Sequence, residues 1–500
     1  MQVKHPILHN PIEKHFDKLT RYHYYIFFFM FLGKILIFWH VLNVVFLSPP
    51  MDFHCKNEVK NSSEKNLCPC DTPSWDKTVF KATIQTKFSI YCEGEWLVSF
   101  SQSIGYAGLL VGALVFGFLS DRYGRLSMFT VCCIILATAG CLVSAMPTVT
   151  AFTIMRSIEG IGVGGSIVTS YVICVEYSGI RYRDTIAALY HFPVTFSQIT
   201  VAGISYLLRD CDQFQLALSI PIFFIVGYKY MFMESPKWLM DNEHLDEATV
   251  VMKRFCKFNK KPCENIREEM ESFRVHHNKT NRSKIKFFDI FRHKKLSIDL
   301  GCMSGIYFVC GVGYYGVAQY IGKMTGDIHK NFAISGALLI PGTIACVFLL
   351  RVLKRKIFLI STSLLSGLTL ITVLVIPSDF SFTRVTIACC SDSFFFMSFI
   401  IVYLYSVELF PTSVRNSVVG FLSVLSRLGQ TIAPQINALS EIPAVVLLSV
   451  LAVFGAILCY PLPETKNIEL PSSLEDTKNL FSHSNEENSS NPTQVILERS

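Results

Sequence analysis

Several ionisable residues sit inside stretches that are otherwise apolar. Arg156 and Glu159, three residues apart, lie in the run 149–176 and are followed by Gly-Ile-Gly-Val-Gly-Gly; Asp392 lies in the run 383–407 and Arg427 in the run 417–437. A charge in hydrocarbon costs about 3 kcal/mol or more, so such residues face the interior of a helix bundle or a wet cavity. An arginine lining a cavity attracts a carboxylate or sulfate through charged hydrogen bonds. It can equally pair with an acid, and Asp392 is the acid at hand for Arg427. Tyr314, Tyr315 and Gln319 in the run 296–320, and Tyr190 and Gln198 in the run 185–208, are the aromatic and amide side chains that could line such a cavity. Aromatic faces suit bulky organic ions, and they also fill helix interfaces. His40 and Lys34 are unusual polar positions in the first run. No nucleophile–base pair, metal-ligand spacing or GxxxxGK[ST] phosphate loop stands out. The chemistry on offer is recognition of ions, not bond breaking, and no cofactor is expected.

A second group of charges marks the ends of runs. "GFLSDRYGRL" (Gly117–Leu126) carries Asp121, Arg122, Gly124 and Arg125 where two helices must meet. An acid near a helix end can pair with an arginine across the gap and hold two helices together in one conformation, and Gly117 would let them approach closely. After the fourth run stands "VEYSGIRYRDT" with Glu176 and Arg181; after the tenth stands "VELFPTSVRNS" with Glu408 and Arg415. Each Glu is expected to pair with the Arg that follows it, or with the Asp and Arg of the neighbouring loop. After the eighth run, "FLLRVLKRKI" is a degraded echo of the first motif that lacks its Asp and Gly.

The elements that position these residues follow from composition. Of 500 residues, 51% are hydrophobic and 17% charged. A spanning helix uses about 20 apolar residues, so the chain supplies about twelve spans and little else. A large soluble domain, a collagen-like chain or a disordered chain is excluded. The runs fall at 24–47, 97–119, 126–146, 149–176, 185–208 and 214–233, then at 296–320, 331–350, 357–377, 383–407, 417–437 and 443–461. This predicts an all-α membrane protein in two pseudo-symmetric six-helix bundles. The expected domains are an amino-terminal segment 1–23, a first bundle 24–240 with a large loop 48–96, a central loop 241–295 with amphipathic helices, a second bundle 296–461 and a tail 462–500.

The net charge of +7 arises from 45 basic and 38 acidic residues, which is no nucleic-acid signature. It fits the excess of Lys and Arg on cytoplasmic loops. With both termini inside, the short inner loops hold nine basic residues and the short outer loops four, and this sets the expected orientation. The sequon at Asn61 and the cysteines Cys55, Cys68, Cys70 and Cys92 then face an oxidising compartment, where disulfides persist. Four cysteines allow three pairings. Asn278, Asn281 and Asn488 also match the sequon but lie on the inner side.

Several strings make the chain resemble a known group. "GFLSDRYGRL" (Gly117–Leu126) is similar to the loop signature of the major facilitator superfamily, and the longer "GALVFGFLSDRYGR" (Gly112–Arg125) resembles its organic cation, anion and zwitterion transporters. "ESPKWLM" (Glu234–Met240), "YYGVAQYIGKMTGDIHKNFAISGALLIP" (Tyr314–Pro341), "VYLYSVELFPTSVRNSVVG" (Val402–Gly420), "SRLGQTIAP" (Ser426–Pro434) and "LPETKNIELPSSLE" (Leu462–Glu475) resemble its organic cation, anion and zwitterion transporters, as does the cysteine-bearing loop ending at "YCEGEWL". The resemblance implies the major facilitator fold and alternating access, with substrate bound near the midplane between two halves. It implies that the Asp121–Arg125 region is a latch, broken and remade during transport. It also implies that the position of Arg427 separates cation carriers, which tend to have an acid there, from anion and zwitterion carriers, which tend to have Arg. Asp392 departs from the family pattern, which often has a basic residue there; Leu339 stands where the family often has an acid.

The sequence therefore predicts a transporter of small organic ions, an anion or zwitterion such as carnitine being favoured over a cation. Its partners are the substrate, the lipid bilayer and, as an open question, a coupling ion. The plasma membrane is the expected location. A sugar–proton symporter of the same superfamily and a carrier-like sensor that does not transport are the alternatives.

Overall fold

No water inside a bilayer can satisfy a backbone N–H or C=O, so an apolar run must close its hydrogen bonds on itself as a helix. The computed structural model describes residues 11–55, 65–66, 68–70, 72–262, 265–279, 287–411 and 414–466. Asn61 and the tail from residue 467 lie outside the described residues. Helices cover Arg21–Leu47, Trp96–Tyr123, Arg125–Ala145, Val149–Tyr177, Arg183–Leu189 with Pro193–Leu207, and Cys211–Met231. They continue with Lys294–Lys323, Ile328–Val352, Arg355–Val375, Ser381–Leu409, Arg415–Asn437 and Glu441–Leu458. Ten of the helices among the described residues are long and apolar enough to cross a membrane. The fifth is broken at Tyr190–Phe192 into pieces of 7 and 15 residues, and the eleventh is diluted by Arg427, Gln430, Gln435 and other polar residues. The chain is an all-α membrane protein of about twelve spans.

The chain forms two compact units. One comprises Met1–Arg282 with Asp327–Ala337, the other Ser283–Gly326 with Leu338–Ser500. The first unit takes in the opening turns of helix Ile328–Val352 because they bond within it: Gln198 Nε2 donates to Ser335 Oγ at 3.0 Å, and His329 Nε2 lies 3.2 Å from Ser205 Oγ. The predicted amphipathic helices of the central stretch are present as Leu245–Phe258 and Ile266–Lys279. The first of these buries Ala248, Met252 and Phe255, spaced to share one face.

In the first unit the second and fourth spans interlock backbone to backbone. A Cβ added at Gly108 would lie 2.1 Å from the Ser157 carbonyl oxygen, one at Gly112 2.1 Å from that of Ile161, and one at Gly164 2.0 Å from that of Leu109. Only glycine permits this approach. Gly117, expected to serve the same purpose, does not: no atom lies within 4 Å of where its Cβ would be. The close packing ends before that turn, and Gly117 faces open space.

The large loop holds the β structure found among the described residues, Phe53–Cys55 paired antiparallel with Pro73–Trp75. Cys55 is bonded to Cys70 and Cys68 to Cys92. Of the three possible pairings this is the one formed. Lys65 Nζ donates to Asp52 Oδ2 at 2.8 Å. Lys65 and then Asn66 hold the Asp52 carboxyl below the usual carboxylate range. The lowered value means that this contact supports the loop at neutral pH and is lost as pH falls through it.

Gly112→Ala forces the second and fourth spans apart and costs about 1–3 kcal/mol; Gly117→Ala meets nothing. Thermal melting of the detergent-purified chain is expected to show a lowered Tm for the first and an unchanged or slightly raised Tm for the second.

Candidate functional site

In the first unit, three charged candidates meet in one buried network. Glu159 of the fourth span is the hub. His40 Nδ1, from the first span, lies 2.6 Å from Glu159 Oε1. Arg156 Nη1 donates to Glu159 Oε2 at 3.0 Å, and Gln215 Nε2 of the sixth span donates to Oε1 at 2.9 Å. A second circuit closes behind it: Arg156 Nη2 donates to Asn43 Oδ1 at 3.1 Å, and Asn43 Nδ2 donates to Gln215 Oε1 at 2.9 Å. The side chains of His40 and Glu159 are 0% and 1% exposed. A carboxylate this deep is tolerable only because both oxygens are occupied and a guanidinium neutralises it. Sequence reasoning named His40, Arg156 and Glu159 but missed Asn43 and Gln215. The signal available was Asn43 at three residues after His40, on the same helix face.

The same first span carries Lys34, whose ammonium lies 3.3 Å from the ring centroid of Tyr190 and donates to the Tyr190 carbonyl. That carbonyl is at the break in the fifth span, where the helix no longer uses it. The Tyr190 hydroxyl lies 2.6 Å from Ser170 Oγ. Tyr190 is thus committed to a cation from its own chain, and Gln198 to Ser335.

In the second unit Arg427 Nη1 donates to the Tyr315 hydroxyl at 3.2 Å and to Gln430 Oε1 at 3.0 Å. Tyr315 packs against Tyr314 with ring centroids 4.9 Å apart, and Tyr314 against Phe396 at 5.2 Å. Gln319 Oε1 accepts from Asn437 Nδ2 at 3.5 Å. Asp392, on the tenth span, is fully buried. Arg427, Tyr314 and Tyr315 come together as one aromatic wall.

The expected charge pairs at the helix ends are partly rearranged. Arg125 contacts Asp121 one turn before it and donates from Nε to Glu176 Oε1 at 3.0 Å. Glu176 therefore pairs with Arg125 and not with Arg181. Glu408 likewise does not pair with Arg415: Arg355 Nη2 donates to its Oε1 at 3.2 Å, and Thr465 Oγ1 donates to its Oε2 at 2.6 Å. Arg415 Nε donates to the Phe410 carbonyl at 3.2 Å instead. Arg122 and Arg181 lie over the adjacent rings of Tyr123 and Tyr182 and form no ion pair among the described residues. The reason is geometric. The helix breaks after Glu176 and after Glu408 turn the following Arg away, while Arg125 and Arg355 open the neighbouring spans and point back.

Each of those openings is closed by a second acid. The N–H of Leu126 donates to Glu234 Oε1 at 2.9 Å, and the N–H of Arg355 donates to Glu464 Oε1 at 2.8 Å. A carboxylate at a helix start satisfies unpaired N–H groups and meets the positive end of the dipole. Gly124 is required for this: its φ is +102°, and a Cβ there would lie 2.6 Å from Glu234 Oε2. Glu234 and Glu464 stood in the recognised strings, but their capping role was not read from them. Nearby, Glu13 Oε1 accepts from Arg183 Nη2 at 3.2 Å and from Lys237 Nζ at 3.5 Å. Burial first, then Arg183, pushes the Lys237 ammonium below its usual range, and Glu13 opposes that shift.

The family model for "Sugar (and other) transporter" matches residues 26–475. The chain is also 30% identical over 409 residues to solute carrier family 22 member 20 of Mus musculus, spanning 80% of this chain and 73% of the relative. The chain belongs to the sugar (and other) transporter family and to solute carrier family 22. Other relatives are the organic cation transporter protein of Drosophila melanogaster, at 27% identity over 93% of each chain, and organic anion transporter 3 of Oryctolagus cuniculus, at 28% over 87% of this chain and 80% of the relative. The inward-open xylose transporter XylE from E. coli aligns with a TM-score of 0.66 at 15% identity, covering 92% of this chain and 99% of that one, and confirms the fold. As a member of solute carrier family 22 the chain is a membrane transporter and not an enzyme.

Within this family member the two Arg–Glu pairs are expected to matter alike. Arg125→Ala and Arg355→Ala each strand a half-buried carboxylate and lose charged hydrogen bonds of about 1.5–3 kcal/mol. Arg181→Ala should cost under about 0.5 kcal/mol. Melting temperatures of the three variants check this ordering.

Proposed function

We propose that the chain carries small organic ions across the membrane by alternating access, with an anion or a zwitterion such as carnitine as substrate. The observation that carries this reading is Arg427. Its guanidinium, in an otherwise apolar span, donates to neutral oxygens of Tyr315 and Gln430 beside the rings of Tyr314 and Phe396. A guanidinium presents five donors in a planar fork, and an aromatic wall supplies the apolar contact that an organic anion needs beyond its charge. Relatives named for organic cation and organic anion transport support the substrate class. An organic cation is the second reading, and buried Asp392 is the observation that favours it.

In this reading 24–240 and 296–461 are the two moving bundles, 241–295 and the termini are cytoplasmic, and loop 48–96 faces outward with Asn61 glycosylated. The two disulfides of that loop suit an oxidising exterior, and the plasma membrane is the location proposed. Asp121, Arg125 and Glu176, with Arg355 and Glu408, form the latches that hold one conformation. A network present in only one state biases the equilibrium between states by its own differential energy.

Radiotracer uptake in expressing cells tests this with three probes: tetraethylammonium, p-aminohippurate and carnitine. Uptake of p-aminohippurate or carnitine is expected, and Arg427→Asp should lower it about tenfold or more at equal surface expression, the loss of one charged hydrogen-bonded contact. Tetraethylammonium uptake that survives Arg427→Asp would reverse the assigned polarity.

A further inference from the structure

The two ring contacts of His40 in the buried network around Glu159 call for one proton more than a neutral imidazole beside an ionised carboxylate supplies. His40 Nδ1 faces Glu159 Oε1 at 2.6 Å, and His40 Nε2 faces the Leu218 carbonyl oxygen at 3.1 Å. A neutral imidazole has one N–H and one lone pair. Beside an ionised Glu159, either neutral tautomer would aim a lone pair at an oxygen that only accepts. Both contacts become attractive when one further proton lies on the pair. The proton sits on His40 Nδ1 or on Glu159 Oε1, and the count is the same either way.

The rest of the network cannot supply that hydrogen. Arg156 only donates, so it fixes Asn43 Oδ1 as acceptor; Asn43 Nδ2 then donates to Gln215 Oε1, and Gln215 Nε2 donates to Glu159. None of these donations is made to His40 or to the Leu218 carbonyl. The charged groups facing His40 are Arg156 and Glu159 of the fourth span. Among the described residues, the second span offers Tyr106, whose hydroxyl donates to the Val41 carbonyl, and the sixth Gln215, while Ser197 of the fifth donates to the Ile35 carbonyl of the first span. The third span brings the Cys141 thiol into the field of Glu159. On the first span itself, Lys34 is turned to Tyr190. A small cavity lined by His40, Gln102, Tyr106, Arg156 and Glu159 lies beside the pair.

We propose that the His40–Glu159 pair is a proton-binding site of this transporter. The bound proton ties the first span to the fourth, and through Leu218 to the sixth where that span is interrupted before Pro221. Loss of the proton turns one of the two His40 contacts from attraction to repulsion and loosens the first span. The pH on the side from which the cavity is reached therefore sets the packing of these three spans. That pH sets the transport rate as well, and this second statement rests on the transport function proposed above.

The test begins with the full chain in detergent and needs no substrate. Tm is measured from about pH 5 to about pH 9, the range in which an imidazole changes charge, for wild type, His40→Gln and Glu159→Gln. The wild-type curve minus the His40→Gln curve is expected to fall by a few degrees as pH rises, because only the wild type has this proton to lose. Glu159→Gln removes the anion that retains the proton, so the fall should begin at lower pH. If His40→Gln does not fold, the displacement in Glu159→Gln carries the test alone. Parallel curves for wild type and His40→Gln, or no displacement in Glu159→Gln, overturn the proposal. Uptake of carnitine, p-aminohippurate and tetraethylammonium is then measured at outer pH of about 5.5 and about 7.5. A pH response present in wild type and lost in His40→Gln supports control of transport by the site. Uptake indifferent to pH overturns that control and leaves transport standing. A melting difference without uptake of any probe upholds the proton site and refutes the transport reading.

Discussion

A charge placed inside a membrane-spanning bundle has to be neutralised and fully hydrogen-bonded within reach of its own helix, and much of this chain is organised around that demand. Glu159 is the clearest case. Its two oxygens accept from Arg156 and Gln215, and one of them also meets His40, so that three spans converge on it. The interaction is costly to break, since removing one partner of a buried charged set leaves the other stranded. It is also local. It explains why the second and fourth spans are free to interlock through glycine backbones: the fourth span directs its charged side chains to the first and sixth, leaving its glycine face for the second.

The same constraint accounts for the repeat. Arg125, Glu176 and Glu234 in the first unit have Arg355, Glu408 and Glu464 as their counterparts in the second. In each case an arginine opens a span, pairs with a glutamate closing another, and has its span's free N–H groups capped by a glutamate further along. The second copy has lost the acid and the glycine of the loop motif, with Arg351 and Lys354 in their places. The architecture survives because the parts under the strictest electrostatic demand are the Arg, the pairing Glu and the capping Glu. Asp121, whose side chain is 65% exposed, is the part that could be dropped. An exposed pair contributes under about 1 kcal/mol.

Much of this was legible from residue types. Twelve apolar runs gave the helices, because hydrocarbon leaves the backbone no alternative. The periodic break between six and six gave two halves, and Arg156, Glu159 and His40 announced themselves as polar residues in apolar sequence. What could not be read was partner choice. Glu176 is five residues from Arg181, yet its partner is Arg125; Glu408 is seven from Arg415, yet its partner is Arg355. Proximity along the chain misleads where a helix ends, because the backbone turns the next side chain away. Neutral members of a network are hidden for a different reason. Asn43 and Gln215 are ordinary residues until a carboxylate is placed between them.

The two units set their intramembrane charges in different surroundings. In the first, Arg156 is tied to Glu159, and Lys34 lies on Tyr190 and its carbonyl. In the second, the Nη1 of Arg427 is steadied by a phenol and an amide beside stacked rings. A guanidinium fixed by a carboxylate has its charge neutralised at once, and under the function proposed above the contacts of Arg427 Nη1 with neutral oxygens are the ones an incoming anion would take over. A carboxylate can take two parallel N–H bonds from a guanidinium, which is what an anionic ligand would offer in exchange. On the two proposals made above, the first unit would hold a proton and a packing arrangement, and the second would contribute Arg427 and its aromatic wall to holding an organic ion.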